Sequence, residues 1–314
     1  SVIICAILGI YPFGENCVLH VDMYHQYCPF FMEFHDKLTE GGSMLYTWNL
    51  GLGSDFLAHY AYYLASPLNW LLVFWPKFLV IEFMTLTILV KIGLAGMFFF
   101  WFLKERFVLV NKEGNYIKSM AIPGLAFATA YAFSGFTAAY YWDIMWMDCV
   151  ALTPLVVIGL ERLVKQNKPV LYYVSLSVTI LANFYMGYIL CIFLVLYFGL
   201  LFLEQKEEKL RVTVRFAWYS LLAGGTGAML MIPEALVLGN SASADSGWPK
   251  AGEWYFGIIE ELSRVCVIAD PYTGNDHWPN LYCGVFALVL FVMYVLNRRI
   301  KWQQKIPRVL IVVF

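Results

Sequence analysis

Long apolar runs recur along the chain and are separated by shorter polar stretches. The runs have roughly 18–24 residues, about the length that an α-helix needs to cross a ~30 Å hydrocarbon core. Runs this long that lack a two-residue alternation favour transmembrane helices over strands. The predicted spans are 80–103, 119–141, 149–164, 169–184, 186–203, 213–233 and 281–297.

The two ends of the chain carry shorter apolar segments. Segment 1–13 reads as the end of a first helix, and a last helix begins near Pro307 and is cut off at Phe314. We therefore expect 1–314 to be one transmembrane module, the N-terminal portion of a longer protein. Segment 169–203 could be a hairpin or one bent helix, and Asn183 and Gly187 favour the hairpin.

The composition supports a membrane protein. Of the 314 residues, 61% are hydrophobic and only 14% are charged, with a mean hydropathy of +0.66. A soluble domain of this size could not cover its surface with so few charges. The fold class that follows is all-α: a polytopic transmembrane helix bundle. We expect membrane lipid around it and no nucleic-acid partner.

Lysine and arginine are distributed unequally between the two sets of loops. Short loops between spans rich in these residues are typically cytoplasmic. One set of loops is rich in Lys and Arg, at positions 104, 106, 112, 118, 162, 165, 168, 206, 209, 211, 215, 298, 299, 301, 305 and 308. The other set, 14–79, 142–148 and 235–280, is poor in them, so we place it outside.

The long first outer loop, 14–79, is not simply hydrophilic. Apolar residues recur through 23–38 at a spacing that fits a helix lying in the membrane interface, and 62–76 reads as a second interfacial element. A glycine-rich turn region lies between them at 41–55. The later outer loop, 235–280, either covers a site, contacts an acceptor or merely connects helices.

Asp22 is the most informative polar residue of this outer loop. It follows the first hydrophobic segment, and His25 and Gln26 would share its face on a helix. A carboxylate in such a setting can act as a general base, with His25 and Gln26 supplying hydrogen bonds. The alternative is an ordinary exposed loop carboxylate.

Lys91 is the costliest residue in the predicted spans, because it lies near the middle of 80–103. A charge at the centre of a bilayer costs about 2.5–3.5 kcal/mol on insertion scales. No Asp or Glu lies deep in another predicted span to pair with it. We therefore expect Lys91 to face a polar cavity, where a lipid phosphate could supply the anion, or to find local partners.

Several motifs of the chain resemble those of the bacterial YfhO family. They are Asp22-Met-Tyr-His-Gln-Tyr27, Glu40-Gly-Gly-Ser43, Trp48-Asn-Leu-Gly-Leu-Gly-Ser-Asp55, Tyr62-Tyr-Leu-Ala-Ser-Pro-Leu-Asn69, Met145-Trp-Met-Asp148 with Leu152-Thr-Pro-Leu155, and Pro279-Asn-Leu-Tyr-Cys-Gly284. That family is similar to GT-C glycosyltransferases, multi-spanning enzymes that use polyprenyl-phosphate sugars at the outer leaflet. The resemblance implies a GT-C-like enzyme of the bacterial plasma membrane that glycosylates a teichoic-acid-like envelope polymer.

The resemblance also implies roles for individual residues. Asp22 would be the catalytic base, and Asp148 a second catalytic acid that orients the acceptor or binds a metal; Asp148 could instead only mark the membrane boundary. Asp143, about 140° away on a helix, would not face the same ligand as Asp148. The implied substrate-binding residues are His25, Gln26, Trp48, Asn49, Gly51, Gly53, Asp55 and Lys91.

Some of these expectations have open alternatives. A plain turn is the simpler explanation of Gly51 and Gly53. The outer histidines with Asp22 and Asp55 could hold Mg²⁺ or Mn²⁺, although the sequence has no His-x-x-x-His spacing. The competing functions are a lipid or polysaccharide transporter or flippase, and a non-catalytic scaffold for envelope assembly.

Overall fold

The helical bundle predicted from the apolar runs is present in the computed structural model, which describes residues 2–106, 121–205, 207–239, 257–265 and 280–313. Within these ranges the strands are two short ones, β1 (Tyr46–Thr47) and β2 (Ser54–Asp55), which pair antiparallel. All other regular structure described there is helical, so the fold class is all-α.

The α-helices follow the predicted apolar runs closely. They are α1 (Val2–Ile7), α2 (Cys28–Thr39), α3 (Phe56–His59), α4 (Val80–Arg106), α5 (Ala121–Ala132), α6 (Gly135–Tyr140), α7 (Met147–Gln166), α8 (Val170–Ala182), α9 (Phe184–Glu204), α10 (Lys209–Leu238), α11 (Ile258–Ser263), α12 (Val285–Leu296) and α13 (Trp302–Val313). Four described helical segments are long and apolar enough to cross a membrane: 77–106, 122–140, 184–204 and 209–237.

Two helix breaks show how polar side chains interrupt apolar runs. The predicted span 119–141 is divided, because Ser134 ends the first piece and accepts a hydrogen bond from the Thr137 amide at the start of α6. Asn183 is extended, and its side chain accepts from the Met186 amide at the start of α9. N-cap geometry of this kind begins a new helix. The interpretation of 169–203 as two helices is therefore confirmed.

Helices α4 and α7 run in the same direction and are joined at two levels. Lys91 pairs with Asp148 near the start of α7, and Arg106 pairs with Glu161 near its end. The helical segment 77–106 is about 45 Å long at 1.5 Å per residue, so it exceeds the ~30 Å hydrocarbon core. Lys91 lies level with the start of α7, where Asp148 is its partner.

The first loop folds into a compact cap over one end of the bundle, which we call the first-loop end. It contains a π-helical turn at Met23–Tyr27, α2, the β1–β2 hairpin, α3, a second π-helical turn at Tyr60–Leu64 and a 3-10 helix at Pro67–Phe74. Met23, Phe31 and Phe34 are fully buried and pack with Met84 of α4. The apolar face predicted for 23–38 is therefore covered by protein rather than by lipid.

The opposite end of the bundle, which we call the basic end, is held by an ion-pair network. Arg106 and Lys165 both pair with Glu161, and Arg162 pairs with Glu105. The Tyr197 hydroxyl donates to Glu161 across 2.5 Å and ties α9 to this network. The charge pattern predicts a cytoplasmic location for Arg106, Arg162 and Lys165.

Candidate functional site

Asp22 lies at the first-loop end, where the chain enters the first π-helical turn. Its side chain is exposed and makes no capping hydrogen bond to that turn. The preceding residue, Val21, has φ +47°. Left-handed backbone is strained for a β-branched residue, and such strain is concentrated at functional sites. The local fold thus presents the Asp22 carboxylate to solvent on a strained turn.

Beneath Asp22 lies a buried pair that joins the first loop to the turn before α7. The Tyr27 hydroxyl donates to Asp143 Oδ1 across 2.9 Å. Both residues are only 3% exposed. The Tyr27 ring stacks on Trp142 at 6.4 Å and lies 5.5 Å from the ring of Tyr63. A buried acidic group, close enough to Asp22 to be affected by its charge, is therefore held by a tyrosine of an aromatic cluster.

The electrostatics of Asp143 are set mainly by this enclosure. Burial is the largest cause that raises the pKa of Asp143 to about 7; the nearby charge of Asp22 also raises it, and the Tyr27 hydrogen bond lowers it. Among the described residues, Asp143 Oδ2 has no hydrogen-bond partner. A carboxyl group that exchanges its proton near neutral pH, with one oxygen unpartnered, is suited to acid–base work or to binding a hydroxyl group.

Gln26 and Tyr63 form the wall next to this pair, while His25 stands apart. Gln26 Nε2 donates to the Tyr63 hydroxyl across 3.2 Å. Burial raises the pKa of Tyr63 to about 12, with further contributions from Tyr62 and Asp22. His25 is exposed and contacts the edge of Tyr24. In the described part of the chain no hydrogen bond joins His25 to Asp22.

The expectation that Lys91 lacks a carboxylate partner is wrong. Its Nζ lies 2.7 Å from Asp148 Oδ2 and donates to the Ile144 carbonyl across 2.8 Å. Asp148 Oδ1 accepts from Ser66 Oγ at 2.8 Å. Sequence reasoning missed the pair because Asp148 was placed at the outer boundary and Lys91 at the centre, whereas parallel packing of α4 and α7 puts both at one level.

This pair is enclosed, since Lys91 is 1% and Asp148 6% exposed. The ammonium group is already neutralised, so it does not need a lipid phosphate. Asp143 and Asp148 have different partners. The helical separation of about 140° does not apply to them, because Asp143 lies in the turn before α7, which begins at Met147. Asp148 therefore lies beneath the candidate site, and Asp143 lies in it.

The glycine-rich turn is the connection between β1 and β2. Gly51 has φ +59° and Gly53 φ +106°, and a Cβ at Gly53 would collide with the Tyr46 hydroxyl. Both glycines are thus required by the turn itself. Leu52 at its tip is 98% exposed. A plain turn accounts for this geometry.

Three further predicted binding residues surround this turn. Asn49 Nδ2 donates to the buried Glu33 across 2.8 Å, and Asp55 caps α3 by accepting from the Ala58 amide. Trp48 is 76% exposed and contacts Tyr46 edge-on. Asn49 and Asp55 therefore have structural partners, whereas Trp48 is free to contact a ligand.

The donor groups do not fit a metal site in the described ranges. No group of three or more His, Cys, Asp or Glu side chains is arranged there to hold a cation. The loop predicted to cover the site or contact an acceptor, 235–280, lies largely outside the described residues.

The fold defines an all-α membrane protein with a polar, aromatic-lined site at one end of its bundle. Residues 1–314 match the family described as "Bacterial membrane protein YfhO", and the chain belongs to that family. A protein of Bacillus subtilis (strain 168), described as "Uncharacterized protein YfhO", is 33% identical over 97 residues. The alignment spans 30% of this chain and 11% of that protein. No solved structure matches the chain.

Proposed function

We propose that the protein is a GT-C-like glycosyltransferase of the bacterial plasma membrane. It transfers a monosaccharide from a polyprenyl-phosphate carrier to a teichoic-acid-like glycopolymer of the cell envelope. The reaction takes place at the first-loop end, which faces outward. The observation that carries the proposal is the exposed Asp22 carboxylate above the buried Tyr27–Asp143 pair, at the end of a bundle long enough to cross a membrane.

Asp22 is the general base in this proposal. The acceptor hydroxyl oxygen attacks the anomeric carbon of the donor sugar, and its proton passes to the Asp22 carboxylate. The bond between the anomeric carbon and the phosphate oxygen breaks, and polyprenyl phosphate leaves with the bonding electrons. Transfer then inverts the anomeric centre. Exposure of Asp22 supports the role, because the base must meet an acceptor arriving from outside.

Gln26 and Asp143 position the reactants around Asp22. Gln26 is fixed by its hydrogen bond to Tyr63, and Asp143 offers Oδ2 to a hydroxyl group. His25 and Trp48, both exposed, would contact the polymer. Lys91 and Asp148 act from below: their ion pair and the Lys91 hydrogen bond to Ile144 hold the turn that carries Asp143.

The test is sugar transfer by the intact protein in proteoliposomes. We expect radiolabelled monosaccharide to move from a polyprenyl-phosphate donor to purified envelope glycopolymer, with release of polyprenyl phosphate in equal amount. Donor that remains intact in the presence of folded protein and acceptor would contradict the proposal.

A lipid transporter is the second candidate, and the enclosed Lys91–Asp148 pair is the observation that favours it. Ionisable residues inside transmembrane bundles often line transport pathways. The same proteoliposomes separate the two functions. A transporter would move a fluorescent polyprenyl-phosphate sugar between leaflets without breaking its glycosidic bond, whereas the proposed enzyme cleaves that bond.

A further inference from the structure

Glu234 is a buried carboxylate that none of the steps above uses. It lies near the end of α10 and is 6% exposed. Among the described residues its Oε2 has no hydrogen-bond partner. Helix α10 packs against α3 and against the second π-helical turn, so it reaches the first-loop end. Glu234 lies one residue beyond the predicted span 213–233, so the span prediction does not mark it as an ionisable residue of a helix.

Tyr62 of the second π-helical turn connects Glu234 to the candidate site. Both Asp143 and Glu234 act electrostatically on the Tyr62 hydroxyl, adding to the burial that raises its pKa. The Tyr62 carbonyl accepts from Asn183 Nδ2 at 3.0 Å, and its ring meets Phe184 edge-on at 5.6 Å. Tyr62 is therefore fixed where the start of α9 meets the first loop.

Two more aromatic residues stand around Tyr62. Trp146 and Tyr185 lie with ring centroids 5.8 Å apart. The Trp146 indole N–H is buried and acts on the Tyr62 hydroxyl, but among the described residues it completes no hydrogen bond of standard geometry. The Tyr185 ring is 45% exposed, which leaves part of it open to a ligand.

The buried polar atoms around Tyr62 need partners. Leaving a buried acceptor without a hydrogen bond costs about 1–3 kcal/mol, and more if it is charged. Asp143 Oδ2 and Glu234 Oε2 lie on different elements and act on the same tyrosine. A carboxylate accepts hydrogen bonds and a protonated carboxyl group also donates one, so a ligand with hydroxyl groups, which donate and accept, can satisfy both oxygens in either state. Aromatic walls with few polar groups are typical of small-molecule sites.

We infer that Glu234, Asp143, Tyr62 and Trp146 form the subsite that holds the sugar ring of the donor. A pyranose supplies hydroxyl donors for the two carboxyl groups and an apolar C–H face for the aromatic rings. The identity of the ligand as a donor sugar rests on the proposed function. The subsite adds the residues that recognise the sugar, with Glu234 as the specificity-determining one.

The experiment measures binding without turnover, in the absence of acceptor. The probes are citronellyl phosphate bearing glucose, galactose or N-acetylglucosamine, and citronellyl phosphate without a sugar. We expect the intact protein to bind one sugar-bearing probe at least tenfold more tightly than the bare phosphate. Glu234→Gln and Glu234→Leu should lose this preference and keep their affinity for the bare phosphate.

Glu82→Gln is the matched control. Glu82 also has a buried carboxylate oxygen without a hydrogen-bond partner among the described residues, but it lies on α4 and is not among the groups that act on Tyr62. We expect this variant to keep the full sugar preference. An undiminished preference in both Glu234 variants, or an equal loss in Glu82→Gln, would overturn the subsite.

Two further results separate this inference from its competitors. Loss of the preference on adding EDTA would show that the carboxylates hold a cation, and would also overturn direct sugar recognition. Sugar preference that depends on Glu234 in a protein that transfers no sugar would keep the subsite and refute the transferase. Transfer that proceeds with unchanged selectivity in Glu234→Gln would refute the subsite alone.

Discussion

Asp143 is a buried carboxyl group through which the turn before α7 contacts the first loop. Its acidic side chain lies between Trp142 and Ile144 in an aromatic outer turn, which is a visible signal. The sequence pointed instead to Asp148, because Asp148 matches the acidic residue before the Pro-Leu segment of the family that the chain resembles. The hydrogen bond from Tyr27, 116 residues earlier, depends on tertiary packing that no local pattern encodes.

Asp22 and Gln26 were accessible to sequence reasoning because their signal is local. Both lie in a polar stretch just after the first apolar segment, and the structure places both at the first-loop end. Glu234 was not accessible, since the elements that bury it, α3 and the second π-helical turn, are distant in the sequence. A polar residue that its sequence neighbours mark can thus be predicted as a site residue, whereas burial by distant elements cannot be predicted from the sequence.

The raised pKa of Asp143 predicts a pH dependence of stability. Because the folded state holds the proton up to about pH 7 and the unfolded chain releases it near pH 4, the stabilisation is present below pH 4. It is lost as the pH rises to 7. The loss amounts to at most about 4 kcal/mol.

Asp143→Asn should remove this slope, so the wild type loses stability relative to the variant between pH 4 and pH 7. Thermal unfolding of the purified protein in detergent across that range is the measurement. Glu15→Gln, at an exposed carboxylate of the same loop, is the control and should keep the wild-type slope. Parallel curves for the wild type and Asp143→Asn would show that Asp143 titrates as an ordinary exposed carboxylate.

At the scale of the helices, the feature that matters most is which helices pack against each other. Apolar runs predicted the helices, because run length and helix length are directly related. They did not predict which helices pack together, so Lys91 had no partner in the sequence. Parallel packing of α4 and α7 provides Asp148 as that partner. Because of this pairing, removal of the Lys91 side chain would leave the buried carboxylate of Asp148 without its cation.

Lys91→Met should therefore destabilise the protein by about 3–5 kcal/mol, the usual cost of breaking a buried ion pair from one side. The double variant Lys91→Met/Asp148→Asn should recover most of this loss, because the amide is neutral and still accepts from Ser66. Chemical unfolding of the purified variants measures both effects.

Lys165→Met is the control at this scale, because its pair with Glu161 is 48% exposed on the lysine side. Exposed pairs contribute about 0–1 kcal/mol, so this variant should stay close to the wild type. A double variant that is no more stable than Lys91→Met would show that the two side chains are not coupled in the folded protein.

The whole molecule has two chemically different ends. The first-loop end carries the exposed Asp22 and the aromatic cluster, and the basic end carries the network of Arg106, Glu161 and Arg162. The uneven distribution of lysine and arginine predicts that the first-loop end faces outward. The distribution of lysine and arginine does not show that the first loop, 14–79, folds into a cap. The apolar residues of this loop would fit contact with a lipid surface as well as contact with protein.

Cysteine labelling in intact cells tests this orientation. In a background without native cysteines, Ser43→Cys should react with an impermeant thiol reagent, and Lys168→Cys should react only after permeabilisation. Both positions are exposed at their own end of the bundle, so each serves as the control for the other. The reverse pattern would place the candidate site in the cytoplasm and remove access to an outer-leaflet donor.

The most direct measurement is sugar transfer by purified Asp22→Asn protein in proteoliposomes, beside Glu15→Gln as the matched exposed carboxylate. The asparagine keeps the shape of Asp22 and removes its basicity, so we predict that transfer falls by roughly 10²-fold or more. Glu15→Gln should transfer at the wild-type rate, and the unfolding temperature of both variants should match the wild type. Full transfer activity in folded Asp22→Asn protein would contradict the assignment of Asp22 as the base on which the proposed mechanism depends.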